Sequence, residues 1–151
     1  MLVKDLKSII DLMELATSPY ACVKVYGKKA YATNGKALTT RDVAFTNEGF
    51  IDKHFLPKLK GIYTLYKKQE FIDESIESLF ISDYEGFPST DLGPMFDQEF
   101  KYEIRLDADV FLKAMKSLKG KDNKIIFKIK DEKSPFLFVH DNGKGLIAPA
   151  I

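Results

Sequence analysis

The sequence predicts an α+β fold in which one unit, a helix followed by short antiparallel strands, is used twice, with both helices on one side of the sheets. Two observations predict it. Apolar residues recur at three- and four-residue spacings near the start of the chain and again after residue 107, as in a half-buried helix. Each of these stretches is followed by short alternating runs and an Asn-Gly pair, at Asn34-Gly35 and at Asn142-Gly143. Asn-Gly is the strongest short hairpin signal, because both residues tolerate positive φ. The halves share little identity, so the repeat lies in element order and spacing. An unduplicated α+β chain with the same elements is the alternative.

The elements follow in order. Leu2, Leu6, Ile9, Ile10, Met13 and Ala16 fall on one face of a helix over residues 2–16, with Lys4, Lys7, Asp11 and Glu14 on the other. Ser18 and Pro19 stop it. Residues 20–26 alternate Ala21, Val23 and Val25 against Cys22, Lys24 and Tyr26. Gly27-Lys28 turns, residues 29–33 return, Asn34-Gly35 turns again, and residues 36–45 run out. The stretch 47–98 is too long for a simple connection. Within it, Phe55, Leu59, Ile62 and Leu65 predict a helical piece starting at or broken near Pro57, and residues 76–81 predict a strand. Glu85-Gly86-Phe87-Pro88 and Gly93-Pro94 mark an irregular surface stretch. Residues 100–106 read as a strand ahead of the second helix. Asp107 is a good N-cap, and Val110, Phe111, Ala114, Met115 and Leu118 form the apolar stripe. The segment Lys119-Gly120-Lys121-Asp122 ends that helix, and strands over 124–130, 135–140 and 144–151 close the chain. The expected organisation is a single domain, 1–151, with half-repeats 1–46 and 99–151 and a connecting insertion 47–98.

Composition bounds the function. The 151 residues are 45% hydrophobic and 30% charged, as in a folded protein with one ordinary core. The net charge is +1, so any nucleic-acid contact must come from local clustering of charge. Cys22 is the only cysteine, which fits a reducing compartment. Lys4, Asp5, Lys7, Asp11 and Glu14 interrupt the start of the chain, so no signal-peptide core is expected there, and no apolar run is long enough to span a bilayer. The expected location is the cytoplasm. The two histidines, His54 and His140, lack zinc-ligand spacing, and no phosphate-binding glycine loop or nucleophile elbow occurs. Asp73, Glu74 and Glu77 are the one candidate metal cluster, and a solvated acidic face is the simpler reading. Nothing in the residues predicts an enzyme or a cofactor.

Three segments together resemble the bacterial DNA polymerase sliding clamp, the β-clamp family. Tyr31-Ala32-Thr33-Asn34-Gly35-Lys36-Ala37-Leu38 is similar to the family's strand-turn-strand pattern Ala-Thr-Asp-Gly-His-Arg-Leu. Glu85-Gly86-Phe87-Pro88, followed by Pro94, resembles its Gly-x-Phe-Pro-Asp-Tyr connector. Residues 104–151 resemble its C-terminal repeat, with a Leu-rich helix, a Ser134-Pro135 hairpin and the tail Leu146-Ile147-Ala148-Pro149-Ala150-Ile151. The family's His-Arg is Lys36-Ala37 here, and its tail methionines are Ala148 and Ala150. Family chains carry three such domains, whereas this length holds one.

The resemblance implies a DNA-clamp-like processivity fold, a duplicated β-α-β-β-β unit. Its helices would face duplex DNA and its sheets would face outward, in a homo-oligomeric ring of about six one-domain copies joined by sheet edges, for which residues 36–45 and 136–140 are the candidates. Sequence-blind phosphate contacts would come from Lys4, Lys7, Lys113, Lys116, Lys119 and Lys121. Lysine suits sliding, being a mobile point charge that fixes no register. On the residues alone, an ordinary solvated lysine face fits equally well. The resemblance also implies a pocket for a short hydrophobic peptide of a polymerase or other replication protein, lined by Thr33, Gly35, Lys36, Ala37, Leu38, Ala148 and Pro149. Leu38 and Pro149 would otherwise be core or edge residues. The competing expectation is a clamp-derived interaction module that binds a replication or repair factor without forming a ring.

Overall fold

The computed structural model describes residues 1–88, 90–118 and 124–150. Among them are three α-helices and two antiparallel sheets, an α+β arrangement. The chain divides into two compact units, Met1–Phe96 and Asp97–Ile151. The stretch expected to be an insertion between half-repeats therefore belongs, up to Phe96, to the first unit. No helix among the described residues is long and apolar enough to cross a membrane.

In the first unit, helix α1 (Val3–Leu15) is followed by strands β1 (Cys22–Tyr26), β2 (Lys29–Thr33) and β3 (Leu38–Asp42). These three form an antiparallel meander, as the turn residues predict. A fourth strand, β4 (Gly49–Asp52), pairs antiparallel with β1 in the register Cys22↔Asp52 and Val25↔Gly49, giving the order β3-β2-β1-β4. β3 is shorter than the expected 36–45. The Asn34 side chain explains its start: its Oδ1 accepts the N–H groups of Lys36 at 3.0 Å and Ala37 at 2.8 Å, holding 34–37 in a turn.

α1 lies on the sheet with Leu6, Ile9, Ile10 and Met13 almost fully buried among Val23, Val25, Ala30, Ala32 and Ile51. Burying a leucine or isoleucine of this kind contributes about 1.5–3 kcal/mol. Helix α2 (Leu56–Tyr66) carries Pro57 in its first turn, where the missing N–H costs nothing, and packs Leu59 and Ile62 into the same core. Leu65, expected on that stripe, is 72% exposed. Two three-residue steps of a helix place it about 120° away from Leu59, off the contact face. Asp5, on the sheet side of α1, is buried and accepts the Ala44 N–H at 3.0 Å, tying the chain beyond β3 to the helix. The expected strand at 76–81 is instead one turn of 3-10 helix, Glu77–Leu79, followed by a single bridge from Ile81 to Phe50.

β1 does not show the simple in-out alternation expected of a half-buried strand. Cys22, Val23, Lys24 and Val25 are all buried. Val23 and Val25 face the helices, while Cys22 joins Tyr31, Phe50, Phe87 and Leu92 in a second cluster. The irregular stretch after Ile81 crosses that second face. The sheet thus has helices on one side and a covering segment on the other.

In the second unit, helix α3 (Ala108–Leu118) begins where the sequence predicts: Asp107 Oδ1 accepts the Val110 N–H at 3.0 Å. Strands β5 (Ile126–Lys128), β6 (Phe136–His140) and β7 (Gly143–Ile147) follow as a second meander, in the order β5-β6-β7. Phe136, Phe138 and Ile147 form the buried centre, backed by Phe111, Ala114, Met115 and Leu118 of α3. Val110, expected on the stripe, is 53% exposed. Residues 100–106 are not a strand. Arg105 there accepts the Ala150 N–H through its carbonyl at 2.6 Å, and Ile104 and Leu106 pad the core.

Candidate functional site

The turn after β2 forms one wall of an open groove of about 320 Å³ in the first unit. Gly35 sits at φ 87°, a left-handed conformation that suits glycine, and its N–H donates to Thr33 Oγ at 3.0 Å. With the Asn34 cap, this fixes Thr33, Gly35, Lys36, Ala37 and Leu38 along the wall. Tyr20, Phe87, Pro88, Leu92 and Met95 complete the lining as its second wall. The lining is mostly apolar, so the groove suits apolar side chains better than a charged or sugar-like ligand.

The second wall is pinned to the sheet by aromatic packing and by a hydrogen-bonded, half-buried tyrosine. Phe87 meets Phe50 edge-on at 5.4 Å between centroids and Tyr20 at 5.7 Å. The Tyr84 hydroxyl lies 3.0 Å from Asp52 Oδ2 and 3.2 Å from Ala21 O. Burial, and then the bond to Asp52, push the Tyr84 phenol up to about 12. Burial also pushes Asp52 upward. The His54 N–H at 2.8 Å, the His54 ring nitrogen at 2.5 Å and the Tyr84 hydroxyl outweigh it, so the carboxyl is held below its ordinary range. Cys22, fully buried beneath this corner, has its thiol pushed up to about 12 by burial and then by Asp52. It is a packing residue without thiolate character.

Five of the seven residues expected in a peptide pocket thus share one groove. The other two, Ala148 and Pro149, follow β7 in the second unit, where Ala148 is exposed and Pro149 half-buried. Tyr20, Phe87, Pro88, Leu92 and Met95 were not expected there. The Phe87-Pro88 pair inside a turn-rich stretch was the one available signal, since an aromatic beside a proline in a connector needs something to pack on.

The expected phosphate contacts divide differently. Lys4 and Lys7 line a second groove, of about 410 Å³, with Tyr63, Lys67, Gln69 and Glu70. Lys67 was not expected, and only the packing of α2 on α1 brings it there. Lys7 Nζ is 2.7 Å from Asp11 Oδ1, a bond that raises the lysine pKa. Asp11 also meets Arg41 at 3.3 Å, and Glu14 meets Lys60 at 3.0 Å. These are exposed pairs, each contributing about 0–1 kcal/mol, but they pair much of the charge on that face. Lys113 and Lys116 are exposed on α3, while Lys119 and Lys121 lie outside the described residues. Among the described residues no group of three or more His, Cys, Asp or Glu side chains is placed to hold a metal ion, so Asp73, Glu74 and Glu77 do not converge.

Comparison of the chain with protein-family models, curated proteins and solved structures found no match in any of the three.

Proposed function

We propose that the chain is a sliding-clamp-like processivity module, a non-enzymatic cytoplasmic protein that contacts duplex DNA without sequence preference and tethers a polymerase or other replication protein. The observation that carries this reading is the groove. Its lining brings the turn residues Thr33, Gly35, Lys36, Ala37 and Leu38 together with Phe87 and Pro88, from two of the three segments on which the resemblance to the β-clamp family rests. Each unit also contains a helix followed by a three-stranded meander, the α-β-β-β part of the expected β-α-β-β-β repeat; among the described residues no strand stands ahead of either helix in its unit. A clamp needs no bond-making side chains, because it holds DNA by topology and its partners by docking. β3 in the first sheet, within the expected edge 36–45, is a terminal strand; the other expected edge, 136–140, is β6, paired on both sides, so in the second sheet β5 and β7 are the terminal strands through which copies would join head to tail.

Two apolar side chains buried in the groove contribute about 3–6 kcal/mol before the cost of association. A labelled hexapeptide carrying leucine and phenylalanine therefore binds weakly, with a Kd no tighter than about 40 µM. Leu38→Glu places a charge in the apolar wall and weakens binding at least about tenfold. Equal affinity of the variant and the parent, by fluorescence anisotropy, removes the groove from the proposal.

For DNA, Lys113→Glu with Lys116→Glu lowers the slope of log K against log salt by about 2, near one unit for each phosphate that a lysine no longer neutralises. A slope unchanged from the parent moves the DNA-binding face away from α3.

The paired charges on α1 favour the second reading, an interaction module that docks a replication or repair factor without forming a ring. Light scattering with and without circular duplex DNA separates the two. A ring-sized species supports the clamp, and a monomer under every condition supports the module.

A further inference from the structure

We propose that Lys24 is a latch for the groove, a positioning residue whose buried ammonium holds the backbone at Pro88 and Thr90 against the sheet and so sets the wall that a peptide would meet. This rests on the peptide-groove reading. Lys24 lies in the middle of β1 and is 3% exposed. Its cross-strand partners are Tyr31 and Phe50, both buried aromatics. An aliphatic side chain would fit this environment at less cost, because an ammonium loses its hydration there. What replaces the water is specific. Nζ donates to Pro88 O at 2.8 Å and to Thr90 O, and lies 5.7 Å from the centre of the Phe50 ring. Bonds from an ionised donor to carbonyls are stronger than neutral ones, and the ring face adds a cation–π attraction. Burial lowers the lysine pKa, and Asp91 works against that effect.

The placement gives the bond its role. Tyr84 and Phe87 fix the near end of the covering stretch, and the Phe96 ring, 6.1 Å from that of Tyr31, fixes its far end. Lys24 holds the backbone between them, beside Pro88 and ahead of Leu92. It does not itself line the groove. Its removal therefore leaves the lining residues in the sequence and frees the backbone that carries them.

Lys24→Met keeps the side-chain length and deletes the donors. In this variant, amide hydrogen exchange over residues 90–96 accelerates at least about tenfold while α1 and β2 keep their protection. Affinity for the leucine–phenylalanine hexapeptide falls about tenfold or more. Lys24→Gln, which keeps an N–H donor at shorter reach, recovers part of both effects and serves as the working variant if the methionine form does not fold. Exchange over 90–96 equal to that of the parent in the folded variant overturns the latch. If the parent binds no peptide, the groove reading fails, and the exchange measurement still decides the latch.

Discussion

Gly49→Val destabilises the first unit by about 3 kcal/mol or more, the upper end for a residue forced into a sparsely populated backbone conformation. Gly49 opens β4 at φ 130°, a left-handed conformation that side chains avoid. A Cβ there would stand 2.5 Å from the Ile81 carbonyl oxygen, and that oxygen cannot retreat freely. It accepts the Phe50 N–H at 2.8 Å, while the Ile81 N–H donates back to Phe50 at 2.9 Å. Relief of the clash breaks this bridge and unseats Phe50, on which Phe87 and the groove wall rest. In a domain near 100 residues, a loss of this size lowers the melting temperature by roughly 12–24 °C. A melting temperature within about 3 °C of the parent would show that the β4 edge is not built as described.

Gly145→Leu has a comparable effect on the second unit. A Cβ at this position would lie 2.1 Å from Phe138 Cζ and 2.5 Å from Cε1, because the buried Phe138 ring lies over the glycine from the neighbouring strand. Overpacking typically costs about 1–3 kcal/mol, and here the obstructing ring is itself part of the core. The unit spans only Asp97–Ile151, and small units hold little stability in reserve. The expected result is loss of exchange protection across β6 and β7, with protection in α1 and β2 retained. Gly145→Ala shows the same pattern more weakly. Protection in β6 and β7 equal to that of the parent would mean that Phe138 has another place to go.

The features legible in the sequence were the local ones. α1 and α3 announce themselves through apolar spacing, the Asn34 turn through its residue pair, and the α3 start through Asp107. Each of these depends on interactions within a few residues. β4 was missed because Gly49-Phe50-Ile51-Asp52 is only four residues long and pairs with a strand more than twenty positions earlier. The same non-local pairing, with the packing of α2 on α1, places the middle stretch in the first unit. Residues 100–106 carry alternation without becoming a strand, since alternation also suits an extended segment that pads a core. The groove was half legible: its turn wall is written in Thr33–Leu38, whereas its other wall exists only because the covering stretch folds back over the sheet. Lys24 was the least legible residue. A lysine alternating in a strand reads as solvent-facing, and only the covering stretch makes it an interior cation.

β1 has no outward side from Cys22 to Val25, because helices occupy one face and the aromatic covering layer the other. Most strands offer every second position as a place where sequence is free to drift. This one offers none across four consecutive residues, so its mutational tolerance should resemble that of an internal helix turn more than that of a surface ribbon. Slippage by one residue would send Lys24 into the aliphatic layer and a valine toward the backbone carbonyls, so the strand specifies its own alignment chemically.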